Sequence, residues 1–173
     1  MGLIAARYNF QLVNSLLEST ITTLRHAGVG EGDIETIRVP GSNEIPQVVN
    51  LLAQSEQFDV MIALGVIIRG ETEHASLIAR TTAAGLQDVA MREEAAVING
   101  ILCVDTKEQA EARVSGEHQR GREFAHAALE MARLTNDLQM RFLDDLYGLG
   151  EEDDLFDELD DLDDSDDDGP ERS

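Results

Sequence analysis

Apolar residues fall along this chain in two alternating rhythms. Short apolar runs, Gly2 to Ala6, Ile34 to Val39, Val60 to Leu64 and Ala95 to Val104, have the length of strands. Val60-Met61-Ile62-Ala63-Leu64 is β-branched enough for a strand buried on both faces of a sheet. Between these runs the apolar residues recur at helical spacing. Leu12, Val13, Leu16, Leu17, Ile21 and Leu24 predict a helix from about Phe10 to His26, ended by Gly28 and Gly30. After Pro40-Gly41, Ser42-Asn43-Glu44 reads as the N-cap of a second helix running to about Gln54, with Pro46 in its first turn, where proline is tolerated. The apolar pattern then breaks at Gly65 and Gly70 and restarts at Glu71-Thr72-Glu73 as a helix reaching about Met91. Asp105-Thr106 caps a short helix to about Val114, and a long helix follows from Glu117 to about Asp145. Strands alternating with helices at this spacing build βαβ units, which predicts an α/β fold: a three-layer α/β/α sandwich on a four-stranded parallel sheet in the order 2-1-3-4.

Charge divides the chain. The net charge is −22, yet from Asp144 to Ser173 there are sixteen acidic residues and only Arg172 as a basic one, giving −15, so residues 1–143 carry only −7. The reading is therefore one folded domain over 1–147 and an acidic tail over 148–173, which self-repels and is expected to be disordered. Within the tail, Leu155, Phe156, Leu159 and Leu162 keep helical spacing, so a short amphipathic segment that docks on a partner stays open. A mildly acidic domain without a basic surface argues against nucleic acid as a partner. No run approaches the roughly 20 apolar residues of a membrane span, and no signal peptide precedes the first strand, so a cytoplasmic protein is expected. Cys103 has no second cysteine to pair with and reads as a small core residue. No group of His, Cys, Asp and Glu has metal-ligand spacing, and no metal is expected.

The chemistry gathers where the third strand gives way to the next helix. In an open parallel sheet this is where ligands bind, because the loops diverge and the helix presents free N–H groups. Arg69 beside Gly70 offers a charge for an anion. His74 offers an imidazole, the side chain suited to moving protons near neutral pH. For an arbitrary glycine-rich loop the plainer reading, two solvated residues, has the better prior.

The run Gly65-Val66-Ile67-Ile68-Arg69-Gly70-Glu71-Thr72-Glu73-His74 resembles the G-x-x-I-R-G-x-T-x-H signature of the lumazine synthase family of riboflavin biosynthesis. Other segments resemble that family in the same order. They are Tyr8-Asn9, Val39-Pro40-Gly41-Ser42-Asn43-Glu44-Ile45-Pro46, Ala96 to Leu102 around Asn99, Thr106 to Arg113 (T-x-E-Q-A-x-x-R), and Gln119-Arg120-Gly121-Arg122-Glu123 (N-K-G-x-E in the family). The likeness covers about residues 2–136. It implies condensation of 5-amino-6-(D-ribitylamino)uracil with 3,4-dihydroxy-2-butanone 4-phosphate, with loss of phosphate and water.

The resemblance also implies residue roles. Tyr8 stacks on the pyrimidine and Asn9 stands beside it; Gly41, Ser42, Asn43 and Glu44 meet the uracil and ribityl chain. Val66, Ile67 and Ile68 line the site, Glu71 and Thr72 hold the phosphate, and His74 is the general acid/base. Asn99 and Arg113 serve the neighbouring subunit's site, Arg113 on the phosphate. Asn43 and Asn99 depart from the family's commoner apolar or aromatic residues. No organic cofactor is implied, and the partners are small-molecule substrates and further copies of the chain, as a pentamer or an assembly of pentamers up to an icosahedral shell. Two competing readings are a catalytically weak shell-forming paralogue that binds lumazine or flavin, and a flavodoxin-like electron carrier, which fits the fold but has no use for His74 and Arg113.

Overall fold

The computed structural model describes residues 1–115 and 118–147. Four strands, β1 (Gly2–Ala6), β2 (Glu35–Val39), β3 (Val60–Ile68) and β4 (Ala96–Val104), alternate with five helices. The helices are α1 (Phe10–His26), α2 (Ile45–Ala53), α3 (His74–Arg92), α4 (Lys107–Val114) and α5 (Arg120–Tyr147). Short 3₁₀ turns at Glu31–Asp33 and Ser42–Glu44 lead into β2 and α2. The sheet is parallel throughout, in the order β2-β1-β3-β4.

Side chains of successive strand residues point to opposite faces, so each strand feeds two cores. Leu3, Ala5, Ile62, Leu64 and Val66 face one way, and α1, α4 and α5 cover them with Leu16, Leu24, Ala110, Val114, Ala125 and Ala128. Ile4, Met61 and Ala63 face the other way, against Ile45 and Val49 of α2 and Leu86 and Val89 of α3. Strand β3, with neighbours on both sides, is buried from Val60 to Ile67. Each fully buried Leu, Ile or Val stabilises the fold by about 1.5–3 kcal/mol relative to exposure. On the first face α5 approaches α1 closely: a Cβ on Gly121 would stand 2.6 Å from the carbonyl oxygen of Leu16, and the Thr20 hydroxyl donates to the Gly121 carbonyl at 3.2 Å.

Contacts divide the chain into two units, Met1–Thr135, which holds both cores, and Asn136–Ser173. Of the second, the described residues are the continuation of α5 to Tyr147. The disorder expected of the acidic tail lies outside the described residues, and the last helix starts at Arg120 rather than at Glu117, with Gln119 ahead of it outside the helix.

Four further expectations are corrected. The third strand does not end at Leu64 but runs through Gly65 to Ile68, pairing with β4 as far as Ile68 and Val104. The following helix starts at His74 rather than at Glu71. Ser42 and Asn43 do not cap α2 through their side chains; they lie in a 3₁₀ turn, and Ser42 is buried. Cys103 is exposed, because β4 is an edge strand whose alternate residues Asn99 and Cys103 on one face are left uncovered.

Candidate active site

The connection from β1 moves outward to β2, and the next crosses over β1 to reach β3. The crevice at the carboxyl ends of β1 and β3 is therefore the point where the winding reverses, the usual ligand site of such a sheet. Asn9 closes it on one side. Its backbone is left-handed, at φ 54° and ψ 44°, a conformation Asn adopts at lower cost than most residues. There its Nδ2 donates to the carbonyl of Val66 at 2.8 Å, binding the end of β1 to β3. The amides of Arg7 and Tyr8 donate to Val39 and Pro40 carbonyls at 2.8 and 3.1 Å. The Tyr8 backbone is thus fixed while its side chain remains 73% exposed.

The turn after β2 is held from beneath. Ser42 is 7% exposed, and its Oγ fills the space a side chain at position 65 would need: a Cβ on Gly65 would stand 2.4 Å from that oxygen. The buried hydroxyl of Thr82, on α3, donates to the Ser42 carbonyl at 3.2 Å. Thr82 was not singled out from the sequence; its signal is a hydroxyl on the core-facing side of a helix. Gly41 is extended and Asn43 is exposed, with Glu44 half-buried beside it.

Beyond β3 the chain opens. Val66 and Ile67 are buried and Ile68 half-buried, whereas Arg69 through His74 are exposed. Arg69 does not stand free for an anion: its Nη1 meets Asp105 Oδ1 at 2.9 Å, and its amide donates to the Val104 carbonyl at 2.8 Å. His74 is the first residue of α3, which begins three residues later than the sequence suggested, and Glu73 before it makes no side-chain cap. The first N–H groups of a 19-residue helix are therefore without helical acceptors beside Glu71, Thr72 and His74, an arrangement that favours an anion.

Two residues stand apart. Arg113 is half-buried near the end of α4 and donates to the Gln109 carbonyl of its own helix at 3.1 Å. Since α4 and α3 cover opposite faces of the sheet, Arg113 and His74 belong to different layers. Asn99 is level with Ala63 in the sheet, well short of its carboxyl edge, and its Oδ1 accepts from the Ile101 amide at 3.1 Å. Helix α4 itself is firmly begun: the Thr106 hydroxyl accepts from the Gln109 amide at 3.3 Å, and Gln109 Oε1 accepts from the Asp105 amide at 2.9 Å. The Glu108 carboxyl is held below its ordinary range, first by a hydrogen bond from its own backbone amide and then by Thr106.

A cavity of about 730 Å³ lies elsewhere, between α1 and the start of α5, lined by Glu18, Thr22, His26, Arg122 and His126 among others. It includes none of the crevice residues, so its size does not mark it as the chemical site. Among the described residues no group of three His, Cys, Asp or Glu side chains could hold a metal, and no helix is long and apolar enough to cross a membrane.

The model of the 6,7-dimethyl-8-ribityllumazine synthase family matches residues 1–136, a span that includes every crevice residue. The chain belongs to the 6,7-dimethyl-8-ribityllumazine synthase family. It is 40% identical to the 6,7-dimethyl-8-ribityllumazine synthase of Ralstonia pickettii over 154 residues, 89% of this chain and 88% of that one. The synthase of Cupriavidus necator is 39% identical over 158 residues, covering 91% and 90%. That of Cupriavidus pinatubonensis is 41% identical over 134 residues, 78% of each. Lumazine synthase family membership and the α/β/α sheet order 2-1-3-4 agree with the resemblance read from the Gly65–His74 run.

Proposed function

We propose that this chain condenses 5-amino-6-(D-ribitylamino)uracil with 3,4-dihydroxy-2-butanone 4-phosphate to 6,7-dimethyl-8-ribityllumazine, without an organic cofactor. The observation that carries the reading is the match over residues 1–136 together with the crevice at the β1/β3 winding reversal. The amine attacks the ketone carbonyl and water leaves to give an imine; a carbon-bound proton is removed and phosphate departs; the second amine closes the ring with loss of another water. The pyrimidine stacks on Tyr8, and Gly41 to Glu44 together with Asn9 and Val66 to Ile68 hold the ring and its ribityl chain. The phosphate lies at the start of α3 against the backbone N–H groups of Glu71 and Thr72, with the Thr72 hydroxyl as a further donor. His74 carries the protons at the reacting carbons. Most of the acceleration comes from holding two reactants in one orientation.

Arg113 and Asn99 serve the crevice of a neighbouring copy in a pentamer or an assembly of pentamers. What supports this is that His74 and Arg113 lie in different layers of one chain, while the exposed edge strand β4 carries Asn99. The test is absorbance-detected lumazine formation by wild type beside His74→Ala. Turnover is expected to fall on the order of a hundredfold with melting temperature unchanged; equal turnover in both would remove His74 from the chemistry. Arg113→Ala should raise KM for the butanone phosphate while leaving KM for the pyrimidine near wild type. Wild-type turnover no faster than the uncatalysed condensation would refute the proposed activity.

A further inference from the structure

The edge strand β2 carries a cation that is only partly satisfied. Arg38, the residue before the end of β2, is level with Ala5 of β1, and its guanidinium lies on the α1 face of the sheet. One arm is engaged: Nη2 donates to Asn14 Oδ1 at 2.7 Å, and Asn14 Nδ2 in turn donates to Glu18 Oε1 at 2.7 Å. The guanidinium carbon stands over the ring of Phe10, 5.3 Å from its centroid. The other arm, Nη1, is buried and has no hydrogen-bond partner among the described residues. A buried cationic N–H left unpaired costs stability that an apolar side chain of the same length would not. A cost of this kind, kept beside a ligand crevice, points to a role beyond packing.

We infer that Arg38 is a positioning residue for the pyrimidine, an inference that rests on the proposed condensation. Acting through Phe10 and Asn14 of α1, it holds the Tyr8 wall of the crevice against the wall formed by Gly41 to Glu44. One strand reaches both walls. Beyond Arg38, β2 ends at Val39 and the chain passes through Pro40 into the Gly41 to Glu44 turn. The carbonyls of Val39 and Pro40 accept from the amides of Arg7 and Tyr8, which holds the chain ahead of the Tyr8 side chain. The Arg38 side chain takes hold after it, on the first two turns of α1. Tyr8 therefore stands between two grips from the same strand. Its ring is 73% exposed, so its place is set by the backbone that carries it rather than by packing. Asn9 ties this turn to β3 through the Val66 carbonyl, and Arg38 ties it to β2, so together they fix how the start of α1 leans across the sheet. A planar guanidinium meets a ring face and an amide oxygen at once, which an apolar side chain does not. The start of α3, assigned to the phosphate, belongs to the opposite layer, away from these contacts. Loss of Arg38 should therefore weaken the pyrimidine and spare the butanone phosphate.

Calorimetric binding of 5-amino-6-(D-ribitylamino)uracil by the full chain, without the second substrate, tests this. KM for each substrate is read from lumazine formation, and melting temperature checks the fold. Arg38→Met keeps the stem and removes the cation and its hydrogen bond; Phe10→Ala cuts the same tie at a residue that is 57% exposed. Each should raise Kd for the pyrimidine about tenfold and leave KM for the butanone phosphate within about twofold of wild type. On a Tyr8→Ala background, Arg38→Met should raise the pyrimidine Kd by no more than about twofold, since the wall it positions is gone. An unchanged pyrimidine Kd in both single variants overturns the inference. So does an equal weakening of both substrates with a lowered melting temperature, which would make Arg38 a support of the fold alone. A full effect of Arg38→Met on the Tyr8→Ala background overturns it as well. Wild type that binds the pyrimidine yet turns over no faster than the uncatalysed condensation would refute the proposed activity and not the inference, because the Kd comparison needs no turnover.

Discussion

The two sides of the crevice are built differently. On the β1 and β2 side every polar group that fixes the backbone finds its partner within the chain: Asn9 binds the Val66 carbonyl, Ser42 fills the space above Gly65, and Thr82 holds the Ser42 carbonyl. On the α3 side Glu71, Thr72 and His74 are exposed, and α3 begins without a side-chain cap. The closed side costs stability when altered, because the hydrogen bonds of Asn9 and Thr82 and the packing of Ser42 over Gly65 would be lost. The open side is the one left for a ligand, as loops on a rigid sheet commonly are. Substitutions should accordingly separate stability on one side from turnover on the other.

The largest stability effect is expected at Gly65. A Cβ there meets Ser42 Oγ at 2.4 Å and Ile101 Cδ1 at 3.0 Å, so Gly65→Ala forces the turn after β2 off its seat. Overpacking of this kind costs about 1–3 kcal/mol, measurable by denaturant titration. Combining Gly65→Ala with Ser42→Gly removes the nearer obstacle and should recover part of the loss, a coupling that a double-mutant cycle measures. An additive pair would mean that the Ser42 hydroxyl is not what requires glycine at this position.

Gly65 also shows where the sequence stops being legible. The strands, the helices and the sheet order follow from apolar runs alternating with helical spacing, because burial on two faces leaves that pattern in the residues themselves. A glycine in an apolar run, however, reads equally as a break or as a close approach. Only the fold shows that β3 continues through it with Ser42 above. The start of α3 was similarly hidden, since Glu71-Thr72-Glu73 has the composition of a first turn but lies ahead of it. Cys103 was misread because an apolar run does not say whether its strand is central or at an edge. His74 and its loop were visible as a motif. That Arg113 lies in the other layer was not, for spacing along the chain carries no record of which face each helix covers.

Asn9 gives the next smaller effect and sharpens the contrast. Asn9→Gly keeps the left-handed backbone at low cost and removes only the hydrogen bond to Val66, so stability should fall by about 1 kcal/mol. Asn9→Ala adds the strain of a Cβ at positive φ and should cost about 1 kcal/mol more. Thermal unfolding of the two variants separates the tie from the conformation. Equal loss in both would assign the whole effect to the hydrogen bond.

Arg69 gives the smallest effect and tests the boundary between the two sides. It sits at the mouth of the open loop, yet its guanidinium is engaged by Asp105 at 2.9 Å. Both side chains are more than half exposed, so solvent and salt screen the pair, and Arg69→Gln should change stability by no more than about 0.5 kcal/mol. If the phosphate belongs to the start of α3 and to Arg113, the same substitution should leave KM for the butanone phosphate within about twofold of wild type, a shift of under half a kcal/mol. Arg113→Ala should raise it well beyond that. The opposite pattern, with Arg69→Gln the more harmful in KM, would transfer the phosphate to Arg69. It would also mean that the Asp105 pair opens when substrate arrives, so that Asp105→Asn should then lower KM by releasing the guanidinium.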